Sequence, residues 1–198
     1  KKIKTLDVLN GNIPKILDNL SWKKSMKWGE HSLYWGRPLK SILAIFDNKP
    51  LSFKFHHLLS SNLTYIDKDF EEKTKIFKNT NSYFSYFKKS NIIIDNNLRK
   101  KYIKKKLTDL SNKKKLQINI NEKLLNEVTD IVEKPKIILC TFDKKYLSIP
   151  KEIITITMQH HQRYFPTFDK KDSLTNNFFI VADSLDPKNF IKIGNERV

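Results

Sequence analysis

Short apolar runs separated by polar turns predict two β-hairpins in this chain. Residues 41–46 and 50–55 flank Asp47-Asn48, and both turn residues tolerate the left-handed backbone angles of tight hairpin turns. In the second arm, apolar and polar residues alternate, which is the period of a strand with one buried face. Residues 163–168 and 177–183 flank another polar turn and predict the second hairpin.

Apolar residues recur at helical spacing elsewhere in the chain. Asn12, Asp95 and Asn121 are suitable N-caps, because their side-chain oxygens accept hydrogen bonds from the free N–H groups of a first helical turn. Helices are predicted at 13–20, after Thr80, at 96–111, from Asn121 to Pro135, at 150–158 and from Pro187 onward. Shorter apolar runs predict strands at 92–94 and 137–142. Helices and strands without regular βαβ alternation favour an α+β fold with hairpins, flanking helices and a mixed or antiparallel sheet.

The length of 198 residues suits one domain of ordinary size. We therefore predict a single α+β domain over residues 1–198, truncated at both ends relative to a longer protein. A subdivision near 111–120 stays open, because that stretch is rich in lysine and asparagine. No apolar run approaches the ~20 residues that span a bilayer, and the opening residues do not resemble a secretory signal. We expect a cytoplasmic protein.

The formal charge of +17 predicts attraction to anionic partners, above all RNA. Four of the 38 basic residues are arginine and the others are lysine. Arginine binds phosphate through two parallel hydrogen bonds, so a charge dominated by lysine indicates long-range attraction more than sequence reading. Lysine, asparagine, isoleucine, phenylalanine and tyrosine are all abundant and have A/T-rich codons, so base composition can explain part of the charge.

The charge is dense on the helix predicted at 96–111. We expect Leu98, Tyr102 and Leu107 to mark the buried stripe of this helix. Its outer surface would then carry the lysines Lys100, Lys101, Lys104, Lys105 and Lys106. A basic helix face is typical of proteins that bind nucleic-acid phosphates.

Residues typical of cofactor and metal sites are too few in this sequence. The four glycines form no phosphate-binding loop. The single cysteine, Cys140, cannot supply a zinc site and is expected to be a small buried side chain. Two tandem pairs, His56-His57 and His160-His161, splay their side chains apart, so neither pair chelates a metal by itself. We expect no metal and no cofactor in this chain.

Two local constellations combine aromatic and polar residues. One covers 26–29 and 34–38, and the other covers 158–166. Each is compatible with a hydrogen-bonded structural corner or with a contact to RNA, where histidine, glutamine and arginine bind phosphate or base edges and tyrosine stacks. The candidate RNA contacts within them are Arg37, His161, Gln162, Arg163 and Tyr164.

The same constellations belong to four ordered signatures. They are Met26-Lys27-Trp28-Gly29 with Arg37-Pro38; LLNEVTDIVEKP from Leu124 to Pro135; TMQHHQRYFP from Thr157 to Pro166; and NFFIVAD from Asn177 to Asp183 with Asp186-Pro187 and GNERV from Gly194 to Val198. Together they resemble the β subunit of bacterial glycyl-tRNA synthetase over residues 26–198. Two positions depart from the family pattern: Asp67-Lys68-Asp69-Phe70 replaces a G-H-R-F element, and Asp183 replaces the usual asparagine.

The resemblance implies a fold and a role. It implies a region similar to the B3/B4 module of phenylalanyl-tRNA synthetase, in the N-terminal half of a large subunit. That subunit would belong to an α2β2 ligase that joins glycine to tRNA(Gly). The resemblance places ATP, Mg²⁺ and both chemical steps on the α subunit. This chain is therefore expected to be non-catalytic, to contact tRNA(Gly) and the α subunit, and to bind neither DNA nor a membrane.

Three functions remain open at this stage. The first is a tRNA-binding and architectural module that uses the lysines of the 96–111 helix. The second is a hydrolytic editing domain for mischarged tRNA, with a pocket near His57, His161 and Arg163. Glycine is the smallest amino acid, so a sieve that removes smaller ones has no task, and editing is not assigned. The third is a purely structural domain that contacts another subunit.

Overall fold

The computed structural model describes residues 4–66, 73–183 and 189–196. The segment 67–70, compared above with G-H-R-F, and the predicted helix start at Pro187 lie outside these ranges. In the part of the chain that is described, no helix is long and apolar enough to cross a membrane. Helices are interspersed with antiparallel strand pairs, which confirms the α+β class. The likeness to a B3/B4 module stays a prediction.

Contacts along the chain define two compact units. Unit 1 is Lys1–Tyr86 and unit 2 is Phe87–Val198. The subdivision considered near 111–120 lies inside unit 2. Whether the two units act together as the predicted single domain stays a prediction.

Unit 1 combines helices with short antiparallel strand pairs. Its elements are α1 (Thr5–Asp18), β1 (Met26–Lys27), β2 (Tyr34–Trp35), β3 (Ile45–Phe46), β4 (Lys49–Pro50), β5 (Lys54–Phe55), β6 (Leu58–Leu59), β7 (Leu63–Tyr65), β8 (Thr74–Ile76) and the start of α2 (Thr80–Lys89). Each odd-numbered strand from β1 to β7 pairs with the next strand along the chain. Asp47 and Asn48 join β3 to β4 with φ of 48° and 60°, so the first predicted hairpin is confirmed.

The apolar alternation after this turn builds the core of unit 1. Leu51, Phe53 and Phe55 are buried, and the two residues between them are exposed. His56, with φ of 49°, turns the chain from β5 into β6, so the predicted arm continues into a further hairpin. Leu33 and apolar side chains of α1 pack against these residues. The core of unit 1 therefore joins α1 to the hairpins.

The first helix begins at Thr5, so the predicted start at residue 13 is wrong. Asn12 lies inside α1, where its amide donates to the Val8 carbonyl at 2.8 Å and does not act as a cap. Pro14 is also internal, although proline lacks the N–H that would bond one turn back. Asparagine and proline both favour the start of a helix, and packing of the apolar face of α1 on the core outweighs this preference.

Unit 2 is built on an antiparallel sheet. Its elements are α3 (Asn96–Lys113), α4 (Glu122–Ile131), β9 (Lys136–Thr141), a 3₁₀ turn (Lys144–Ser148), α5 (Lys151–Ile156), a π-helical turn (Thr157–Gln162), β10 (Phe165–Phe168), β11 (Leu174–Ala182) and α6 (Phe190–Glu196). Strand β11 lies between β10 and β9. The second predicted hairpin is confirmed, and its second strand begins earlier than expected, at Leu174.

Side chains alternate between the two faces of this sheet. Phe165 and Phe179 join a cluster with the buried residues of α3 and α4. Phe178 and Ile180 join a separate cluster that contains Cys140. Cys140 is fully buried, as predicted. The sheet of unit 2 therefore has a core on each face.

The buried stripe of α3 differs from the predicted one. Its buried residues recur every fourth position: Arg99, Ile103, Leu107 and Ser111. Leu107 is confirmed, but Leu98 is 60% exposed and Tyr102 is 40% exposed, so their predicted burial is wrong. Asp95 caps α3 as predicted and accepts from the Leu98 N–H at 2.8 Å.

The predicted strand at 92–94 is also wrong. These residues form an irregular approach to α3. The Ile93 N–H donates to the Glu133 carbonyl at 2.9 Å, which is a single bond rather than a ladder. The carbonyls of Ile93 and Ile94 accept hydrogen bonds from the Arg99 side chain instead of from a neighbouring strand.

Candidate nucleic-acid interface

The lysine face of α3 consists of Lys100, Lys101, Lys104, Lys105 and Lys106. Lys100 is half-buried and the other four are exposed, away from the buried stripe. Their exposure follows from the helix period. The buried residues recur every fourth position, so the residues between them face solvent. Exposure of this face agrees with the sequence prediction. Contact with RNA stays a prediction.

Glu122, at the start of α4, binds two lysines of this face. Lys104 Nζ lies 2.6 Å from Glu122 Oε1, and Lys100 Nζ lies 2.9 Å from Oε2. Hydrogen bonds from Lys104 and Lys100 lower the pKa of the Glu122 carboxyl from 4.5 to about 2. A lowered folded-state pKa means that the stability from these contacts is present above pH 4.5 and is lost as pH falls toward 2. The contacts therefore persist at neutral pH.

Arg99 anchors α3 from its buried side. Its Nε donates to the Thr129 carbonyl in α4 at 2.9 Å, and its Nη1 donates to the carbonyls of Ile93 and Ile94 at 2.5 and 3.2 Å. Arg99 is only 7% exposed. One guanidinium thus joins the approach segment, α3 and α4. This side chain fixes where the lysine face points.

Sequence reasoning missed both Glu122 and Arg99 as parts of this surface. Glu122 lies far along the chain from the lysines that it binds, so no local pattern signals the contact. Arg99 occupies a buried helix position, where apolar periodicity predicts a leucine-like residue. The one available signal was the absence of any apolar residue between Leu98 and Tyr102.

The constellation at 158–166 is divided between surface and core. His161, Gln162 and Arg163 are exposed, whereas Tyr164 is 7% exposed. The Tyr164 ring stacks on Phe178 with centroids 4.8 Å apart, and its hydroxyl donates to Asn195 Oδ1 at 2.6 Å. Burial raises the pKa of the Tyr164 phenol. These contacts favour the structural interpretation of Tyr164.

Arg163 ends the π-helical turn in a left-handed conformation, with φ of 58°. Its Nη1 donates to the carbonyls of His160 and His161, both at 3.3 Å. Its Nε lies 3.6 Å from Glu127 Oε2, which is a contact to α4. The guanidinium therefore supports the local turn while 45% of the side chain remains exposed. A role for His161, Gln162 or Arg163 in RNA binding stays a prediction.

The Trp-rich constellation in unit 1 is held by close contacts. Trp28 Nε1 donates to the Trp35 carbonyl at 2.9 Å, across the β1–β2 pair. Trp22 and Trp35 have ring centroids 4.9 Å apart. A Cβ atom at Gly36 would lie 3.0 Å from the Trp22 ring, so a side chain there would require this ring to shift. Arg37 follows directly and is exposed.

Two further sequence predictions concern histidines. His57 belongs to unit 1, whereas His161 and Arg163 belong to unit 2, so the editing pocket considered for them stays a prediction. Over residues 4–66, 73–183 and 189–196, no group of three histidine, cysteine or acidic side chains is placed to hold a metal ion.

Sequence comparison identifies the family. A sequence model described as glycyl-tRNA synthetase beta subunit matches residues 1–198. This chain belongs to the glycyl-tRNA synthetase β-subunit family. Proteins named glycine–tRNA ligase beta subunit agree: that of Clostridioides difficile is 35% identical over 98% of the chain, and that of Dictyoglomus turgidum is 32% identical over 99%. The corresponding protein of Rickettsia prowazekii is 34% identical over 100% of the chain. The chain spans 28 to 30% of the length of these three relatives.

The signatures of the glycyl-tRNA synthetase β-subunit family contact one another in unit 2. The ion pair of Glu127 with Arg163 joins the second signature to the third, and the bond of Tyr164 to Asn195 joins the third to the fourth. Asp183 Oδ1, in the fourth signature, accepts from the N–H groups of Glu133 and Lys134 at the end of the second. An asparagine oxygen can accept the same bonds, which explains why aspartate is compatible here.

Proposed function

We propose that this chain is a non-catalytic, tRNA-binding and architectural part of the β subunit of glycine–tRNA ligase. The whole enzyme attaches glycine to tRNA(Gly) in the cytoplasm as an α2β2 assembly. In this assembly the α subunit binds and uses ATP and Mg²⁺. Family membership supports the assignment to this enzyme, and the chain contributes a surface and a scaffold rather than the reacting groups.

The observation that carries the RNA contact is the lysine face of α3. Five lysines occupy about two successive turns of one helix, and Arg99 holds that helix against α4. Lysine side chains at this spacing can bind successive phosphates without reading bases, and each contact releases counterions from the RNA. Exposed lysines at such a surface attract RNA over about 8 Å at physiological salt.

Charge reversal tests this contact. In the full-length subunit, replacing Lys100, Lys101, Lys104 and Lys105 with glutamate is expected to weaken tRNA(Gly) binding roughly tenfold or more at 0.15 M salt. The slope of log affinity against log salt should also become shallower by about 2, because Lys101 and Lys105 are not bound by Glu122 and each lost phosphate contact removes nearly one unit. Fluorescence anisotropy with labelled tRNA over a salt series measures both quantities.

A matched control separates location from total charge. Lys23, Lys24, Lys49 and Lys54 are exposed lysines in unit 1, and their replacement with glutamate changes the net charge equally. This control is expected to weaken binding much less than the α3 variant. Equal weakening by the two sets would show that overall charge, rather than the lysine face, attracts the tRNA. Unchanged binding by the α3 variant would remove the proposed contact.

Freeing Lys100 and Lys104 from Glu122 should strengthen tRNA binding. Glu122→Gln removes the carboxylate that binds Lys100 and Lys104, so both cations become available to phosphate. We expect roughly threefold tighter tRNA(Gly) binding at low salt and a steeper salt dependence. Glu152→Gln, at an exposed position on α5, makes the same charge change away from these lysines and is the control. Equal affinities for the two variants would contradict the role of Glu122.

A further inference from the structure

An open cleft of about 390 Å³ lies within unit 1. Six of its lining side chains carry aromatic rings or positive charge: Trp28, His31, Trp35, Lys40, His57 and Tyr65. Its volume is near the lower end of the ~300–1,000 Å³ typical of small-ligand sites. None of these residues belongs to the lysine face of α3, so the cleft is a separate feature.

Several short elements build the cleft from distant parts of the sequence. Trp35 lies in β2 and Trp28 directly follows β1, and the connection between these strands turns at Gly29 with φ of 59°. His57 comes from the turn between β5 and β6, and Tyr65 ends β7. The hydrogen bond from Trp28 Nε1 to the Trp35 carbonyl fixes one indole in the wall. The cleft is therefore positioned by backbone pairing.

Two histidines form a flat surface in this cleft. The rings of His31 and His57 are parallel within 1°, with centroids 3.6 Å apart. His57 Nε2 lies 3.3 Å from the Leu39 carbonyl, to which it donates, and this contact orients the ring. Both histidines are exposed. The two histidine rings therefore stack on each other at the cleft.

The described lining residues favour an anionic ligand. They include one lysine and two histidines and no carboxylate. Lys40 Nζ lies 5.5 Å from the centroid of the Tyr65 ring, which places a cation beside an aromatic face. Arg37 follows Trp35 by two residues and is exposed. Aromatic faces beside a lysine are a composition that binds unpaired bases together with their phosphates.

We propose that this cleft binds one unpaired nucleotide of a single RNA strand. The base stacks against the rings of Tyr65, His57 and the two tryptophans of the cleft. Lys40 lies near the adjoining phosphate. This inference rests on the proposed tRNA-binding function and adds a second, chemically different contact to it. Stacking tolerates any base, so the cleft holds an unpaired position without reading its identity.

Two substitutions in the full-length subunit test the cleft. Tyr65→Ala and His57→Ala are each expected to weaken binding of a fluorescein-labelled hexaribonucleotide roughly tenfold, because each removes a stacking surface. Tyr65→Phe keeps the ring and should bind as the wild type does. Phe84→Ala, at an exposed aromatic residue of α2 in the same unit, is the control and should also bind normally. Normal binding by both alanine variants would overturn the proposal.

The salt series distinguishes this proposal from the proposed function. The cleft variants remove no lysine or arginine, so they should lower affinity without changing the salt slope, whereas the α3 charge reversal should change the slope. Lowered affinity with an unchanged slope supports the cleft even if the α3 variant binds tRNA normally. Loss confined to the α3 variant overturns the cleft alone.

Two further measurements identify the ligand. Unlabelled AMP should compete at least tenfold less well than unlabelled hexaribonucleotide, because it lacks the neighbouring phosphates of a strand. Equal competition would assign the cleft to free nucleotides and overturn the proposal. In addition, 4-thiouridine at an unpaired tRNA position should cross-link to peptides that contain Trp28, His57 or Tyr65. Cross-links found solely on peptides of unit 2 would contradict it.

Discussion

Replacing Arg99 with alanine is expected to destabilise the protein by about 3 kcal/mol. The guanidinium is 7% exposed and donates to three backbone carbonyls, of Ile93, Ile94 and Thr129. Removing it leaves one buried acceptor, at Thr129, and two partly buried acceptors without this donor, and each such group costs about 1–3 kcal/mol unless water reaches it. The same change releases α3 from α4, and the lysine face with it.

The variants of Arg99 separate its hydrogen bonds from its packing. Arg99→Met retains most of the apolar stem but no donor, so it should still lose about 2 kcal/mol. Arg99→Lys retains a charged donor and should fall between methionine and the wild type. Lys101→Ala, at an exposed position of the same helix, should change stability by less than about 0.5 kcal/mol.

Urea unfolding followed by far-UV circular dichroism measures these differences. Tryptophan fluorescence alone does not suffice, because Trp22, Trp28 and Trp35 all lie in unit 1 and Arg99 lies in unit 2. A methionine variant as stable as the wild type would show that water already satisfies these carbonyls. In that case Arg99 would contribute packing alone.

Replacing Phe179 with alanine is expected to destabilise unit 2 by about 4 kcal/mol, in the range for a fully buried aromatic side chain. Phe179 is 0% exposed in the central strand, opposite Phe165 and Leu139, and its ring meets the buried residues of α3 and α4. The cavity left by the ring cannot close, because paired strands hold the backbone on both sides.

Calorimetry should show this loss as a midpoint lower by about 10 °C for a chain of this size. Ile153→Ala is the matched control, because Ile153 is apolar, lies in unit 2 and is 57% exposed. We expect its midpoint to change by less than about 2 °C. Similar shifts for the two variants would mean that the sheet is not the centre of the cooperative core.

Local chemistry predicted both hairpins and two of the three helix caps correctly. Asp47 and Asn48 adopt the left-handed angles that a two-residue turn requires, and Asp95 and Asn121 cap their helices through side-chain oxygens. These features depend on adjacent residues alone. The start of α1 depends instead on tertiary packing, because its apolar face packs on the core and keeps Asn12 and Pro14 inside the helix.

The stripe of α3 shows where apolar periodicity fails. Leu98 and Tyr102 are the apolar residues in the first turns of this helix, yet both point to solvent, and Arg99 is buried between them. The arginine is buried because carbonyls from two other segments surround its guanidinium. Partners that distant in the sequence cannot be inferred from the spacing of residues in one helix.

The candidate site was predictable only in part. The lysines of α3 were identified by charge density, and their exposure follows from the helix period. The pairing with Glu122 and the aromatic cleft of unit 1 depend on tertiary contacts, so neither was predicted. Tyr164 shows what the sequence left open: its neighbours were compatible with a structural corner or with an RNA contact, and its ring contacts Phe178 while its hydroxyl donates to Asn195.

Each outer strand of the unit 2 sheet is hydrogen-bonded on its free side at the last residue of the strand. Gln117 exchanges two backbone hydrogen bonds of 2.8 Å with Phe168 beside β10, and Glu196 of α6 accepts from the Thr141 N–H of β9 at 2.7 Å. An unprotected strand recruits strands of other molecules and promotes aggregation. Recombinant fragments that stop before α6 would therefore present the edge of β9 to neighbouring copies. In fragments that retain Glu196, the Thr141 N–H of that edge stays hydrogen-bonded.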